Sequence, residues 1–155
     1  MKPKAWIGID PGKTGAAALI FEDGQIVEDW PGCPRVAADL LTSWRLDFRI
    51  ELGALECVHS MPGQGVKSMF TFGQNFGQWQ GILAALSIPH LQPTPQDWQK
   101  GLVKASDGAD TKARSLTVAR RIFPDVDLSR KKDHGKADAL LLAWWARRQA
   151  TKAEP

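Results

Sequence analysis

Apolar and polar positions change period several times along the chain, and each change marks an element. Ala5-Trp6-Ile7-Gly8-Ile9-Asp10 is a short apolar run stopped by Pro11-Gly12, which predicts a strand ending on an acid. Residues 16–21 predict a second strand, Glu22-Asp23-Gly24 a hairpin turn, and residues 25–30 a third strand. Together they make a three-stranded antiparallel meander. Val36, Leu40, Leu41 and Trp44 recur at helical spacing and predict a helix over 35–48 with these residues on one face. A short apolar strand, Leu52 to Val58, carries a single acid, Glu56. After a Pro/Gly loop comes a helix over 67–86, then a strand at 88–93 bounded by prolines. Residues 94–110 read as irregular or weakly helical. A basic amphipathic helix spans 111–123, capped by Asp110 or Thr111 and stopped by Pro124, and a last helix runs from about Gly135 to Arg148.

This order, β-β-β-α-β-α-β-α-α, predicts an α/β fold. A mixed five-stranded sheet, the meander plus two parallel strands, is flanked by helices on both faces. With 155 residues, 43% hydrophobic, and no repeat or low-complexity tract, the chain reads as one domain over 1–155. No stretch approaches the ~18 apolar residues of a membrane span, and Met1-Lys2-Pro3-Lys4 leads into a strand without a signal-peptide core, so the expected location is cytoplasmic. Cys33 and Cys57 have no metal-type spacing and read as buried thiols of a reducing compartment. Of the seven Trp, Trp79 and Trp98 stand among polar residues, where core or interface packing and base stacking are both open.

Charge adds a direction. Residues 1–94 carry 7 Lys/Arg against 9 Asp/Glu, and residues 95–155 carry 13 against 8, so the second half can face a polyanion. Asp10 alone is read equally well as a turn acid or as a ligand. The small residues around it, Gly8 before and Thr14-Gly15 after, leave room for a metal or phosphate beside it. Glu56 lies in Gly-Ala-Leu-Glu-Cys-Val, where a carboxylate is costly unless paired or bound to a cation. Asp138 heads an apolar helix. His134 shares its face if the helix already includes residue 134; otherwise Asp133 is better placed. Asp133 is also a natural helix cap. Three acids from separate segments plus a His suit two Mg²⁺ or Mn²⁺ ions in phosphodiester hydrolysis, with no organic cofactor. No zinc spacing and no Ser or Cys nucleophile motif competes.

Four blocks carry a resemblance. They are Gly8-Ile9-Asp10-Pro11-Gly12 with Thr14-Gly15, Ala54-Leu55-Glu56, Phe72-Gly73-Gln74 with Gly77, and Lys136-Ala137-Asp138-Ala139-Leu140. In order and spacing the chain resembles the RuvC-type Holliday junction resolvases of the ribonuclease H-like superfamily, most closely their small phage-encoded branch. The resemblance implies a Mg-dependent endodeoxyribonuclease that resolves four-way DNA junctions by paired symmetric nicks, as a homodimer, in a bacterial host cell if phage-encoded. It implies that Asp10, Glu56 and Asp138 are catalytic metal ligands. The family's fourth position, three residues before the last acid, is Gly135 here, which leaves His134 as the fourth group and Asp133 as runner-up. It further implies phosphate contacts from Lys100 and Lys112, with Lys104 and Arg114 as helpers, and a wedge against an unpaired base from Met61 or Phe70. The dimer contact would come from Phe72, Phe76, Trp79 and Leu83. Two rivals keep the fold: a nuclease for other branched DNA or RNA, and a catalytically weak junction-binding module. An actin-like ATPase shares the first block but needs a second large domain.

Overall fold

The computed structural model describes residues 1–59 and 63–153. Strands β1 (Lys4–Asp10), β2 (Ala16–Phe21) and β3 (Gly24–Asp29) form the predicted meander, each antiparallel to the next. Strand β4 (Arg49–Leu55) lies parallel to β1 on its other side, and β5 (His90–Leu91) lies parallel to β4. The sheet order is β3-β2-β1-β4-β5. The helices are α1 (Pro34–Asp47), α2 (Val66–Ala85), α3 (Pro95–Gln99), α4 (Thr111–Ile122) and α5 (His134–Ala153). Short 3₁₀ turns at Ala105–Asp107 and Lys131–Asp133 precede α4 and α5.

Strand parity distributes the core. Ala5, Ile7 and Ile9 of β1, with Ala17 and Leu19 of β2, pack on α1 and α2 through Ala37, Leu41, Trp44, Trp79 and Leu83. The alternate residues, Trp6 of β1 and Ala16, Ala18 and Ile20 of β2, join Ala54 of β4 beneath α3, α4 and α5. Because side chains alternate with a period of two, Asp10 shares the face of Trp6, and Glu56 that of Ala54. Both acids therefore face α5. Glu56 lies one residue beyond β4, but its N–H still donates to the Ile9 carbonyl at 3.0 Å, which keeps it beside Asp10.

Gly8 sets how near α5 comes to the sheet. A Cβ there would stand 2.0 Å from the Ala139 carbonyl oxygen and 2.2 Å from the Ala143 nitrogen. Helix backbone rests directly on strand backbone, two residues from Asp10 on one side and one residue from Asp138 on the other.

Several expectations change. The fourth strand ends at Leu55 rather than Val58, the fifth keeps only His90 and Leu91 of 88–93, and residues 94–110 hold α3 and a 3₁₀ turn. Asp110, not Thr111, caps α4, its side chain accepting from the Ala113 N–H. Val36 is exposed and Ala37 lies on the inner face of α1 instead, because Ala37, Leu41 and Trp44 form the i, i+4, i+7 row that meets the sheet. Cys33 is exposed and Cys57 half-buried, so neither is a buried thiol. Trp79 and Leu83 are fully buried in the chain's own core, and Phe76 packs beside them. Trp79 and Leu83 therefore point inward and cannot serve as a dimer face, while Phe72 and Phe76 of the same helix stay half-buried. Trp98 is fully buried as well, which removes base stacking for it and for Trp79. Among the described residues no helix is long and apolar enough to cross a membrane.

Candidate active site

The end of β1, the residue after β4 and the first turns of α5 bring three acids onto one face of the sheet. The turn after β1 is tight: the Gly12 N–H donates to Asp10 Oδ1 at 3.0 Å and the Gly15 N–H to the Gly12 carbonyl at 2.9 Å. Asp10 is thereby fixed at the sheet rim with 8% of its surface exposed. Its carboxyl is raised above the ordinary range, chiefly by burial, with the Gly12 N–H and the charge of Lys112 working the other way. Glu56 is equally buried at 8%. Burial, and then the charge of Asp10, pushes it up to about 7, against a hydrogen bond from Trp98 that lowers it. That bond runs from Trp98 Nε1 to Glu56 Oε1 at 2.9 Å between two buried side chains. It fixes the carboxylate's orientation.

Asp138 is raised well above the ordinary carboxylate range. Burial dominates, the charges of Asp10 and then Glu56 add to it, and the Ser115 side chain and Lys112 oppose. Its Oδ1 is fully buried with no hydrogen-bond partner. An unpartnered buried carboxylate oxygen beside two more buried acids is unfavourable unless a cation or a proton neutralises the group. The donor set, carboxylate oxygens only, fits a hard divalent ion such as Mg²⁺ or Mn²⁺. As the side chains stand, no three His, Cys, Asp or Glu among the described residues lie within joint ligating reach. The charge of Asp10 reaches Glu56, and the charges of both reach Asp138, so the three acids are neighbours without forming a closed cage.

His134 begins α5, so His134 and Asp138 stand four residues apart on one helical face, the arrangement expected if the helix includes residue 134. Burial, and then the charge of Lys112, hold the imidazole below its usual pKa, so it is neutral at pH 7. Gly135 has its own reason. A Cβ there would meet the Thr14 carbonyl oxygen at 2.1 Å, so no side chain fits in the slot where the family pattern expects a ligand. Asp133 is committed elsewhere. It is buried, takes Arg130 Nη2 at 2.6 Å and the Arg130 backbone N–H at 2.9 Å, and its pKa is lowered by that pairing.

The basic residues divide in the same way. Lys112, in the first turn of α4, is the cation felt by Asp10, Asp138 and His134 alike. Lys100 and Lys104 are exposed on the segment between α3 and α4. Arg114 holds that segment together, Nε donating to the Gly108 carbonyl at 2.8 Å, which is a structural use of the side chain. Phe70 is 72% exposed near the start of α2, while Met61 lies outside the described residues. Trp98 and Ser115 are the site partners that sequence reasoning missed. The usable signal for Ser115 was a lone small polar residue on the inner face of α4.

Comparisons with known proteins agree with this architecture. No family model matches the chain. Over 96 residues, 61% of the chain, it is 35% identical to the chloroplastic Holliday junction resolvase MOC1 of Chlamydomonas reinhardtii, of whose length the match spans 11%. Among solved structures, Thermus thermophilus RuvC bound to a Holliday junction substrate superposes with a TM-score of 0.64 at 19% identity, covering 97% of this chain and 96% of that one. A second structure of the same protein gives 0.61 at 20%, covering 96% of each chain. The yeast mitochondrial Holliday junction resolvase Ydc2 gives 0.53 at 16%, covering 99% of this chain and 82% of that one. The chain has the ribonuclease H-like fold of RuvC.

Proposed function

We propose that this chain is a divalent-metal endonuclease that resolves four-way DNA junctions by paired, symmetric nicks. One observation carries the reading: Asp10 and Glu56, both buried, and Asp138, with its Oδ1 buried, are acids on one face of the sheet, with the cation Lys112 beside them, on the fold of RuvC. The similarity to MOC1 supports the junction as substrate. Asp10, Glu56 and Asp138 would hold two Mg²⁺ (or Mn²⁺) ions, which when bound activate a water and balance charge on the phosphate. Lys112 is placed to hold a phosphate oxygen. Neutral His134 can take a proton from the attacking water, a role that needs a pKa not far from working pH. Lys100 and Lys104 would extend the phosphate contacts along the α3–α4 segment. Phe70 remains the candidate wedge.

Paired cuts require two active sites, hence a homodimer. With Trp79 and Leu83 buried, the face of α2 left for a second copy carries the four-spaced glycines Gly73, Gly77 and Gly81, with open space around each. Purified protein with Mg²⁺ should sediment as a dimer and nick a synthetic four-way junction at symmetric positions. Equal cutting of linear duplex would remove the junction assignment, and a monomer that still makes paired cuts would remove the dimer.

The fourth group has its own comparison. His134→Ala should lower single-turnover cleavage by roughly a hundredfold, the usual scale for losing a general base. Asp133→Ala should instead lower the melting temperature, with loss of activity only in proportion to unfolding. A breaks-cleavage-only result for Asp133 and a silent His134 would reverse the two roles.

A further inference from the structure

Beside the acid cluster lies a concavity that the catalytic reading leaves unused. The β1–β2 turn, the end of β3 and the 3₁₀ turn at Lys131–Asp133 enclose about 250 Å³, many times the ~30 Å³ share of one water. Its walls include Lys13, Thr14, Trp30, Arg130, Lys132 and Asp133.

The charges in this cleft are not evenly matched. Asp133 is taken by Arg130 at 2.6 Å, and Asp29 by Lys136 Nζ at 3.6 Å. Among the described residues this leaves Lys13 and Lys132 as cations with no ion-pair partner. The Arg130–Asp133 clamp fixes the 3₁₀ turn from both ends, since the Asp133 N–H also returns to the Arg130 carbonyl at 3.0 Å. Lys132 is therefore presented by a rigid turn. Trp30 supplies an apolar wall, and its ring is held against Trp79 with centroids 5.1 Å apart.

The cleft also lies within reach of the proposed cutting site. Lys13 follows Asp10 by three residues, and three peptide units span at most ~11 Å. Phosphates recur every ~3.4 Å of axis along a DNA strand, so a strand cut at Asp10 brings its neighbouring phosphates within reach of Lys13. On the other wall, the start of α5 touches Thr14 through Gly135, which joins the cleft to His134.

We propose that this cleft seats a backbone phosphate of the DNA strand next to the cut, held by Lys13 and Lys132 with the sugar against Trp30. The proposal rests on the nuclease reading above and adds to it where the strand runs.

The test is the salt dependence of binding to a labelled four-way junction, measured by anisotropy in EDTA with the full chain carrying Asp10→Asn. Lys13→Ala and Lys132→Ala should each weaken binding about fivefold and reduce the slope of log K against log salt by about one; the double variant should lose about two. Lys152→Ala, at the far end of α5, should leave the slope unchanged. Both lysines of the cleft are exposed, so folding is not at stake. An unchanged slope in the double variant, or an equal loss from Lys152→Ala, would overturn the cleft. The two readings separate cleanly. If wild-type protein binds DNA without cutting junctions and the double variant still loses two ions, the cleft stands as a phosphate site while the resolvase reading, and with it the place next to a cut, falls. If wild-type protein resolves junctions and the slope is unmoved, the cleft alone falls.

Discussion

Replacing Asp10 with Asn should lower junction cleavage by about a thousandfold or more while making the metal-free protein more stable. The first effect follows from removing one charged donor of the cluster, which costs both ion binding and the charge balance the reaction needs. The second follows from the cluster's own repulsion. Asp10 raises Glu56 and Asp138, so a neutral Asn relieves both, and its oxygen still accepts from the Gly12 N–H. A gain of about 2 kcal/mol, or roughly 6 °C in melting temperature, is the expected scale. The pH dependence has a definite sign. Glu56 moves from 4.5 to about 7 on folding, so the folded chain binds that proton more tightly than the unfolded chain. The stability it contributes is complete below pH 4.5 and is lost as pH rises through 7, by at most about 3 kcal/mol. Melting of wild-type protein in EDTA should thus fall across that window, and Mg²⁺ should restore it by binding only the folded state. A variant that cuts at the wild-type rate, or a melting temperature flat from pH 4.5 to 7, would contradict the cluster.

Gly8→Ala should destabilise the chain by about 4 kcal/mol, far more than an ordinary surface or strand substitution. The added carbon would stand 2.0 Å from one backbone atom of α5 and 2.2 Å from another, and neither can move alone. The whole helix must lift. Since α5 carries Asp138, cleavage should fall even in the fraction that remains folded. Urea denaturation checks the first effect, and single-turnover cleavage below the transition checks the second. Wild-type stability in this variant would mean that α5 does not rest on β1 as described.

The sequence made some of this legible and hid the rest for physical reasons. Asp10 was readable because a turn must follow an apolar strand, and Pro11-Gly12 says where. Glu56 was readable because a lone acid in an apolar run needs a partner. Strand parity, a purely local rule, was enough to put both on one face. The α2 stripe was readable as apolar but not as inward or outward, since packing on one's own sheet and packing on a second copy require the same spacing. That ambiguity produced the misplaced dimer contact at Trp79 and Leu83. Trp98 was hidden because its partner is 42 residues away, and nothing in the segment around it points to Glu56. The Asp133 pairing with Arg130 is only three residues long, yet local charge patterns do not tell a clamp from a ligand.

The contact between Gly135 and Thr14 constrains where a donor can stand at the start of α5. One residue along a helix is a rotation of about 100° and a rise of about 1.5 Å, so a donor at 134 meets the acids from a different direction than one at 135 would. Moving it there by a single substitution is blocked, because any side chain at 135 collides with the turn that seats Asp10. The turn would have to retreat first, and its retreat alone would displace Asp10. Each change is harmful without the other, so the histidine can leave position 134 only if the turn and the helix start move together.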